Sequence, residues 1–331
     1  MLDIAAYAHA LIWDDHCGFE MQPGAPLSEL LAPWRDVGVD YLSINVGFDP
    51  KPWHRTIENI AYLRRRLPDA APYCELVKTV ADIDRVRANG GMAITFDIEG
   101  MNALNGHLEM VQVYYDLGVR HMLFAYNRNN LAGAGCHDDD VSLTEFGRAV
   151  VVEMNRVGMV VDCSHSGRRT TLEAMEISSD PVIFSHSNPK ALCEHGRNID
   201  DDQIKACAAT GGVIGINGVN HFLGEEIASP AGIARHAAYV AELTSPEHVG
   251  ISLDFDPDLS EIDESGNIHD LFLEHKEYWP EEAGYDGTIA GLDVRRLPKI
   301  VDELARIGFT NEDITGILGA NFRRIATQVW K

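Results

Sequence analysis

Residues 159–186, MVVDCSHSGRRTTLEAMEISSDPVIFSH, read as a strand, a helix and a second strand. Met159–Cys163 and Val182–Ser185 are short apolar runs rich in β-branched residues, whereas Arg168–Ile177 repeats its apolar side chains at helical spacing. Each predicted strand is followed closely by a histidine, His165 or His186. The stretch therefore predicts a β-α-β unit, the building block of folds with parallel strands.

Similar apolar runs recur along the chain, separated by amphipathic stretches such as Phe146–Val157. Eight strand candidates alternating with helices favour an α/β fold of the (β/α)8 TIM-barrel type over an open sheet. Neither G-x-G-x-x-G nor G-x-x-x-x-G-K-[ST] occurs, so a nucleotide-binding fold has no positive support. The six further strand candidates are Ala8–Asp14, Asp40–Val46, Met92–Ile98, His121–Ala125, Gly212–Asn217 and Val249–Asp254.

Two segments go beyond a minimal barrel. Pro257–Gly291 forms a long acidic insertion with aromatic residues after the eighth strand. Asn311–Trp330 reads as two short extra helices around the sequence GILGANFRRI. We find no internal repeat and no low-complexity linker, so we expect residues 1–331 to form a single domain.

Composition narrows the class of protein. The chain has 331 residues, 45% of them hydrophobic, and a net charge of −24, which argues against nucleic acid and anionic membranes as partners. No run approaches the length of a membrane span, and the N-terminus lacks a basic leader. Six scattered cysteines without a C-x-x-C pair fit reduced thiols. These features together predict a cytoplasmic protein.

Polar side chains cluster where the predicted strands end. In a barrel of this kind the carboxyl ends of the strands carry the chemistry, so these side chains should converge on one mouth. Each has an ordinary alternative as a hydrogen-bonded loop residue or a helix cap, but imidazole and carboxylate together suit Zn²⁺ and similar ions. In strand order they are Asp14, Asp15 and His16; Asp97 and Glu99; Tyr126 and Asn127; His165; His186; Asp254 and Asp256.

The first strand end, WDDHCGFE (residues 13–20), raises a specific question. A histidine followed two residues later by a carboxylate can offer two ligands from one strand face. The second position here is Gly18, which offers nothing. We expect Asp14 on the same face but deeper in the barrel, and Cys17 pointing away. A metal site would therefore lack one ligand.

The strand ends resemble those of the membrane (renal-type) dipeptidases, a branch of the metal-dependent amidohydrolase superfamily. The motifs occur in the order DxH, IEG, DxSH, FSH, HxRN and DFD across nearly the whole chain. The resemblance implies a binuclear zinc site, an Asp as acid/base group that also contacts the substrate amine, and an Arg that binds the substrate carboxylate. It places His16, Glu99, His165 and His186 as metal ligands, Asp254 as the acid/base group, and Arg197 on the carboxylate.

Two departures from the family pattern bear on the site. Gly18 replaces the Asp of H-x-D, and Tyr126 stands where the family has a His that polarises the scissile carbonyl. A phenol still donates a hydrogen bond to an oxyanion, which keeps Tyr126 a candidate for catalysis and substrate binding. We therefore expect one tightly bound zinc at Glu99, His165 and His186, with a second ion weak or absent.

The resulting functional hypothesis is a zinc-dependent dipeptidase that hydrolyses the amide bond of a dipeptide-like small molecule. Two alternatives stay open at this stage: an amidohydrolase with a mononuclear site that acts on another C–N bond, and a non-catalytic binding relative. The resemblance also implies a homodimer.

Overall fold

The computed structural model describes residues 7, 9–19, 26–257, 274–285 and 289–331. Its strands are β1 (Trp13–Cys17), β2 (Tyr41–Phe48), β3 (Cys74–Leu76), β4 (Met92–Glu99), β5 (Val119–Leu123), β6 (Val160–Asp162), β7 (Val182–Phe184), β8 (Val213–Ile216) and β9 (Val249–Ile251). Eight of them are parallel neighbours in the order β1-β2-β4-β5-β6-β7-β8-β9. A parallel bridge between Cys17 and Phe255 links the two ends of this order. The barrel is therefore nearly closed, and the predicted (β/α)8 architecture is confirmed.

Helices alternate with the strands along the chain. The helix predicted at Arg168–Ile177 is found with both its ends, and the one predicted from Phe146 begins at Glu145, because the Thr144 hydroxyl accepts the Gly147 N–H as a helix cap. The helices are α1 (Leu27–Leu30), α2 (Ala32–Asp36), α3 (Trp53–Arg66), α4 (Val80–Ala88), α5 (Met110–Leu117), α6 (Glu145–Val157), α7 (Arg168–Ile177), α8 (Asp201–Ala209), α9 (Asn220–Leu223), α10 (Pro230–Leu243), α11 (Leu297–Arg306), α12 (Asn311–Thr315) and α13 (Asn321–Val329).

The C-terminal helices close the bottom of the barrel. A π-helical turn, Gly316–Ala320, joins α12 to α13, which confirms the two short helices predicted for this piece. Phe322 of α13 belongs to the same buried cluster as Trp13 and Tyr41, which lie at the amino ends of β1 and β2. The barrel interior is therefore filled at its amino-terminal end, and a site built on the strand ends is expected at their carboxyl ends.

Two strand predictions need correction. The first strand is Trp13–Cys17 rather than Ala8–Asp14, and Ala8 lies outside the described residues. β3 was not predicted, because its sequence Cys74-Glu75-Leu76 lacks the β-branched residues that mark the other short strands. It pairs with Met92–Ile94, the first part of β4, whereas β5 pairs with β4 from Phe96 onward.

Most of the predicted insertion Pro257–Gly291 lies outside the described residues. Its described part includes residues 274–285, with a short 3₁₀ helix at Glu281–Ala283. Among the residues that the structure describes, no helix has the length and apolar character needed to cross a membrane.

Candidate metal centre

A β-bulge decides which side chains of β1 enter the barrel. Asp14 is paired with Leu42 and Cys17 with Ile44, so β1 advances by three residues over a stretch where β2 advances by two. The expectation that Asp14 and His16 share a face is therefore wrong. The Asp14 carboxylate accepts hydrogen bonds from Trp34 Nε1 at 2.9 Å and from Ser252 Oγ at 3.3 Å.

Glu99 ends β4 at the centre of the barrel mouth. Its Oε1 atom is buried and makes no hydrogen bond within the described part of the chain. Three imidazole Nε2 atoms surround this oxygen, at 3.1 Å for His165, 3.3 Å for His186 and 3.7 Å for His16. A buried carboxylate oxygen facing three ring nitrogens is a donor set that suits a divalent cation.

Each of the three histidines is held through its Nδ1 atom. His16 Nδ1 lies 3.0 Å from an Asp97 carboxylate oxygen, and His165 Nδ1 lies 2.7 Å from Asn127 Oδ1. Both partners accept hydrogen bonds, so Nδ1 of each ring carries a proton, and in the neutral ring Nε2 keeps its lone pair.

His186, the third histidine, is also protonated at Nδ1, and here the acceptor is a hydroxyl group. Ser185 Oγ donates to Asp162 Oδ2 at 2.5 Å, and it therefore accepts from His186 Nδ1 at 2.7 Å. His186 Nε2 is again free to act as a ligand. One ligand atom each from His16, Glu99 and His186 lies within 4.8 Å of the others, and His165 Nε2 lies 3.0 Å from His186 Nε2.

Burial sets the charge states in this cluster. It lowers the pKa of His165 and of His186 well below the ordinary range, and nearby Arg197 adds to that effect, so both rings are neutral. Burial also raises the pKa of Glu99 to about 8. For His16, burial opposes the charged form, but Asp97 and Glu99 raise its pKa well above the ordinary range. The neutral rings of His165 and His186 beside a buried carboxyl fit the site to a cation.

Tyr126 and Asp254 lie beside this cluster. The Tyr126 ring stacks on His165 with centroids 4.1 Å apart. Asp254 has a left-handed backbone (φ 54°), and its Oδ1 lies 3.4 Å from His16 Nε2 while Oδ2 accepts from Asn217 Nδ2 at 3.0 Å. The structure thus brings both residues to the mouth where the strand ends were expected to converge.

Arg197 is a buried cation, 2% exposed. Its guanidinium donates to the His186 carbonyl at 2.7 Å and to Ser187 Oγ at 3.1 Å. The described residues place no carboxylate in an ion pair with it, and its Nε makes no hydrogen bond there. A buried guanidinium in this state suits an anionic group of a ligand.

Residues of the insertion lie beside the site, and the sequence alone did not predict that position. Trp279 packs against Phe48 and Tyr126, with centroids 6.3 and 5.7 Å away, and Asn127 Nδ2 donates to the Tyr278 carbonyl at 3.0 Å. The aromatic content of the insertion is visible in the sequence, but the place where it folds is not. The orienting role of Asp97, Asn127 and Ser185 was missed as well, although each lies within two residues of a candidate site residue or is one itself.

Comparison with known proteins points to one family. A model of the family described as Membrane dipeptidase (Peptidase family M19) matches residues 34–277, so His16 and Gly18 precede the match. An uncharacterized dipeptidase of Schizosaccharomyces pombe is 31% identical over 83% of this chain and 62% of its own length. The dipeptidase aclJ of Aspergillus oryzae is 27% identical over 83% of this chain and 61% of its own. The chain thus spans about three fifths of these fungal relatives.

A solved structure gives the corresponding result for the fold. An amidohydrolase from Pseudomonas aeruginosa superposes with a TM-score of 0.89 and 26% identity, covering 99% of this chain and 98% of that chain. The likeness includes the barrel and the C-terminal helices, because it extends over nearly the full length of both chains.

Proposed function

The chain belongs to the membrane dipeptidase family, and on that premise we propose that it hydrolyses the amide bond of a dipeptide or dipeptide-like small molecule in a metal-dependent reaction. One observation carries the proposal: the buried Glu99 Oε1, which makes no hydrogen bond to any described residue, faces three histidine Nε2 atoms whose Nδ1 atoms are already engaged. Zinc is the metal we propose, since imidazole and carboxylate ligands suit it.

Glu99, His165 and His186 would hold the tightly bound ion, which leaves a ligand position for water. His16 and Glu99 would hold a second, weaker ion, because Gly18 contributes no carboxylate. A divalent ion held by these residues would supply Lewis-acid chemistry: it would lower the pKa of a bound water toward about 7 and polarise the scissile carbonyl.

Asp254 is the proposed acid/base group. It lies at the mouth beside His16 and is oriented by Asn217, so one carboxylate oxygen is fixed by a hydrogen bond. The carboxylate accepts the proton of the attacking water and passes it to the leaving nitrogen, and in the bound state it contacts the substrate amine.

Tyr126 is the proposed donor to the oxyanion. Burial raises the pKa of its phenol well above the ordinary range, so the hydroxyl keeps its proton at neutral pH. A protonated phenol next to His165 donates a hydrogen bond as the carbonyl oxygen gains charge.

Arg197 is the proposed group that binds the substrate carboxylate. Its Nε has no partner among the described residues, and the two hydrogen bonds to His186 and Ser187 fix the plane of its guanidinium. Charge-assisted hydrogen bonds from a pre-oriented guanidinium favour substrates that end in a free carboxylate.

A second candidate is an amidohydrolase that acts on another C–N bond with one metal ion. Gly18 favours it, because the missing ligand belongs to the second ion, and Tyr126 favours it as the other departure beside the reacting bond. A non-catalytic binding relative is the third reading, and it predicts a chain that holds no ion.

A dipeptide panel tests the proposal. The full chain is stripped with chelator, reloaded with zinc and assayed for release of amino acids from dipeptides, with N-acyl amino acids and cyclic amides in parallel. We expect zinc-dependent turnover of dipeptides. Turnover restricted to the other amides would favour the second candidate, and no turnover together with no bound metal would favour the third.

A further inference from the structure

The end of β1 and the segment that follows β9 meet beside Gly18, where the H-x-D motif has its Asp. The parallel bridge between Cys17 and Phe255 places His16 next to Asp254 and Gly18 next to Asp256, on the same face of the neighbouring segments. The first pairing is seen directly in the 3.4 Å distance between His16 Nε2 and Asp254 Oδ1. For the second, a Cβ atom built on Gly18 would lie 3.5 Å from Asp256 Oδ2.

Gly18 is not required by the path of the chain. Its φ lies outside the left-handed region, and among the residues that the structure describes a Cβ atom there would meet only the Asp256 carboxylate, at an ordinary contact distance. The space that a side chain at position 18 would enter therefore borders a carboxylate from the segment that follows β9. That carboxylate comes from the second Asp of the DFD motif.

The charges and donors nearby suit a cation. Glu99 Oε1, 3.7 Å from His16 Nε2, is buried and makes no hydrogen bond within the described residues. Asp97 orients His16 through Nδ1 and so turns its Nε2 toward Glu99. Carboxylate oxygens and one imidazole form a mixed donor set that zinc and similar ions accept.

We propose that Asp256 replaces the carboxylate missing at position 18 and, with His16 and Glu99, holds a second divalent cation. The proposal rests on the metal centre of the proposed function and adds a ligand from the segment that follows β9. It implies that a carboxylate is needed at position 18 or at position 256, and that either one suffices.

Zinc binding by calorimetry, with native mass spectrometry for stoichiometry, tests this on the full chain stripped of metal. We expect one tight and one weaker zinc-binding event in the parent protein. Asp256→Asn should weaken the second event at least about 100-fold, beyond the effect of losing an outer-shell partner, and leave the first intact. Gly18→Asp combined with Asp256→Asn should restore it. Asp69→Asn, an exposed change on a 3₁₀ helix, is the control.

The rival ligand is Asp254, which is closer to His16. Loss of the second event in Asp254→Asn but not in Asp256→Asn would overturn the proposal. A parent protein that binds a single zinc at saturation would also overturn it, whatever the folding of the variants. Dipeptide turnover is scored separately: a chain with two zinc ions and no turnover contradicts the proposed function alone, and turnover with unchanged binding in Asp256→Asn contradicts this inference alone.

Discussion

Gly18→Asp places a second carboxylate against Asp256 and should destabilise the metal-free protein. The new Cβ atom would lie 3.5 Å from Asp256 Oδ2, so the two carboxylates would be about 4 Å apart. Like charges at that distance repel by about 4 kcal/mol at an effective dielectric constant near 20. Asp256 is only partly buried, and salt screens the pair, so we expect a loss of about 1–2 kcal/mol in the free energy of unfolding.

The assay is urea denaturation of Gly18→Asp and of the parent, with chelator and with zinc. Zinc at about 100 times its dissociation constant should raise the free energy of unfolding of the variant by about 2.7 kcal/mol. In a protein that also carries Asp256→Asn, the same substitution should lower the free energy of unfolding much less, because the like charge at position 256 is gone. Equal stability of parent and Gly18→Asp in chelator, at low and at high salt, would refute the placement of position 18 beside Asp256.

Three further predictions follow from the site and its surroundings. His165→Ala and His186→Ala should each lose the tightly bound metal and all turnover, checked by metal analysis; full metal content in either would place the site elsewhere. Arg197→Ala should reduce kcat/KM about 10- to 150-fold for dipeptides relative to their amides, from a loss of about 1.5–3 kcal/mol; equal losses on both substrates would make Arg197 structural. Burial opposes the charged form of His121, but three carboxylates raise its pKa to about 10, above the unfolded value. Stability should therefore fall by up to about 1.4 kcal/mol per pH unit between about pH 6.5 and 10, and His121→Gln should flatten that slope in pH-dependent denaturation. An unchanged slope would contradict this charge state.

The barrel could be predicted because its signals are local. The helix Arg168–Ile177 begins after a glycine and ends before a polar turn, and its flanking strands are continuous apolar runs. The convergence of His165, His186 and Glu99 then follows from the rule that parallel strands end at one mouth. The single domain, the homodimer and the cytoplasmic location stay predictions.

The details that the sequence could not supply depend on register. A bulge in β1 sends Asp14 to Trp34, although strict alternation would put it beside His16. The approach of Asp256 to Gly18 depends on a bridge between segments far apart in the chain. No periodicity encodes such a contact, because it arises only when the barrel closes.

The anomalous scattering of zinc in crystals of the metal-loaded protein tests the central claim most directly. The account predicts a strong peak with ligand distances of about 2.0–2.2 Å to Glu99, His165 and His186. It also predicts a weaker peak bounded by His16, Glu99 and Asp256. A zinc-loaded crystal with no peak at Glu99, or with zinc bound only at sites away from the barrel mouth, would contradict it.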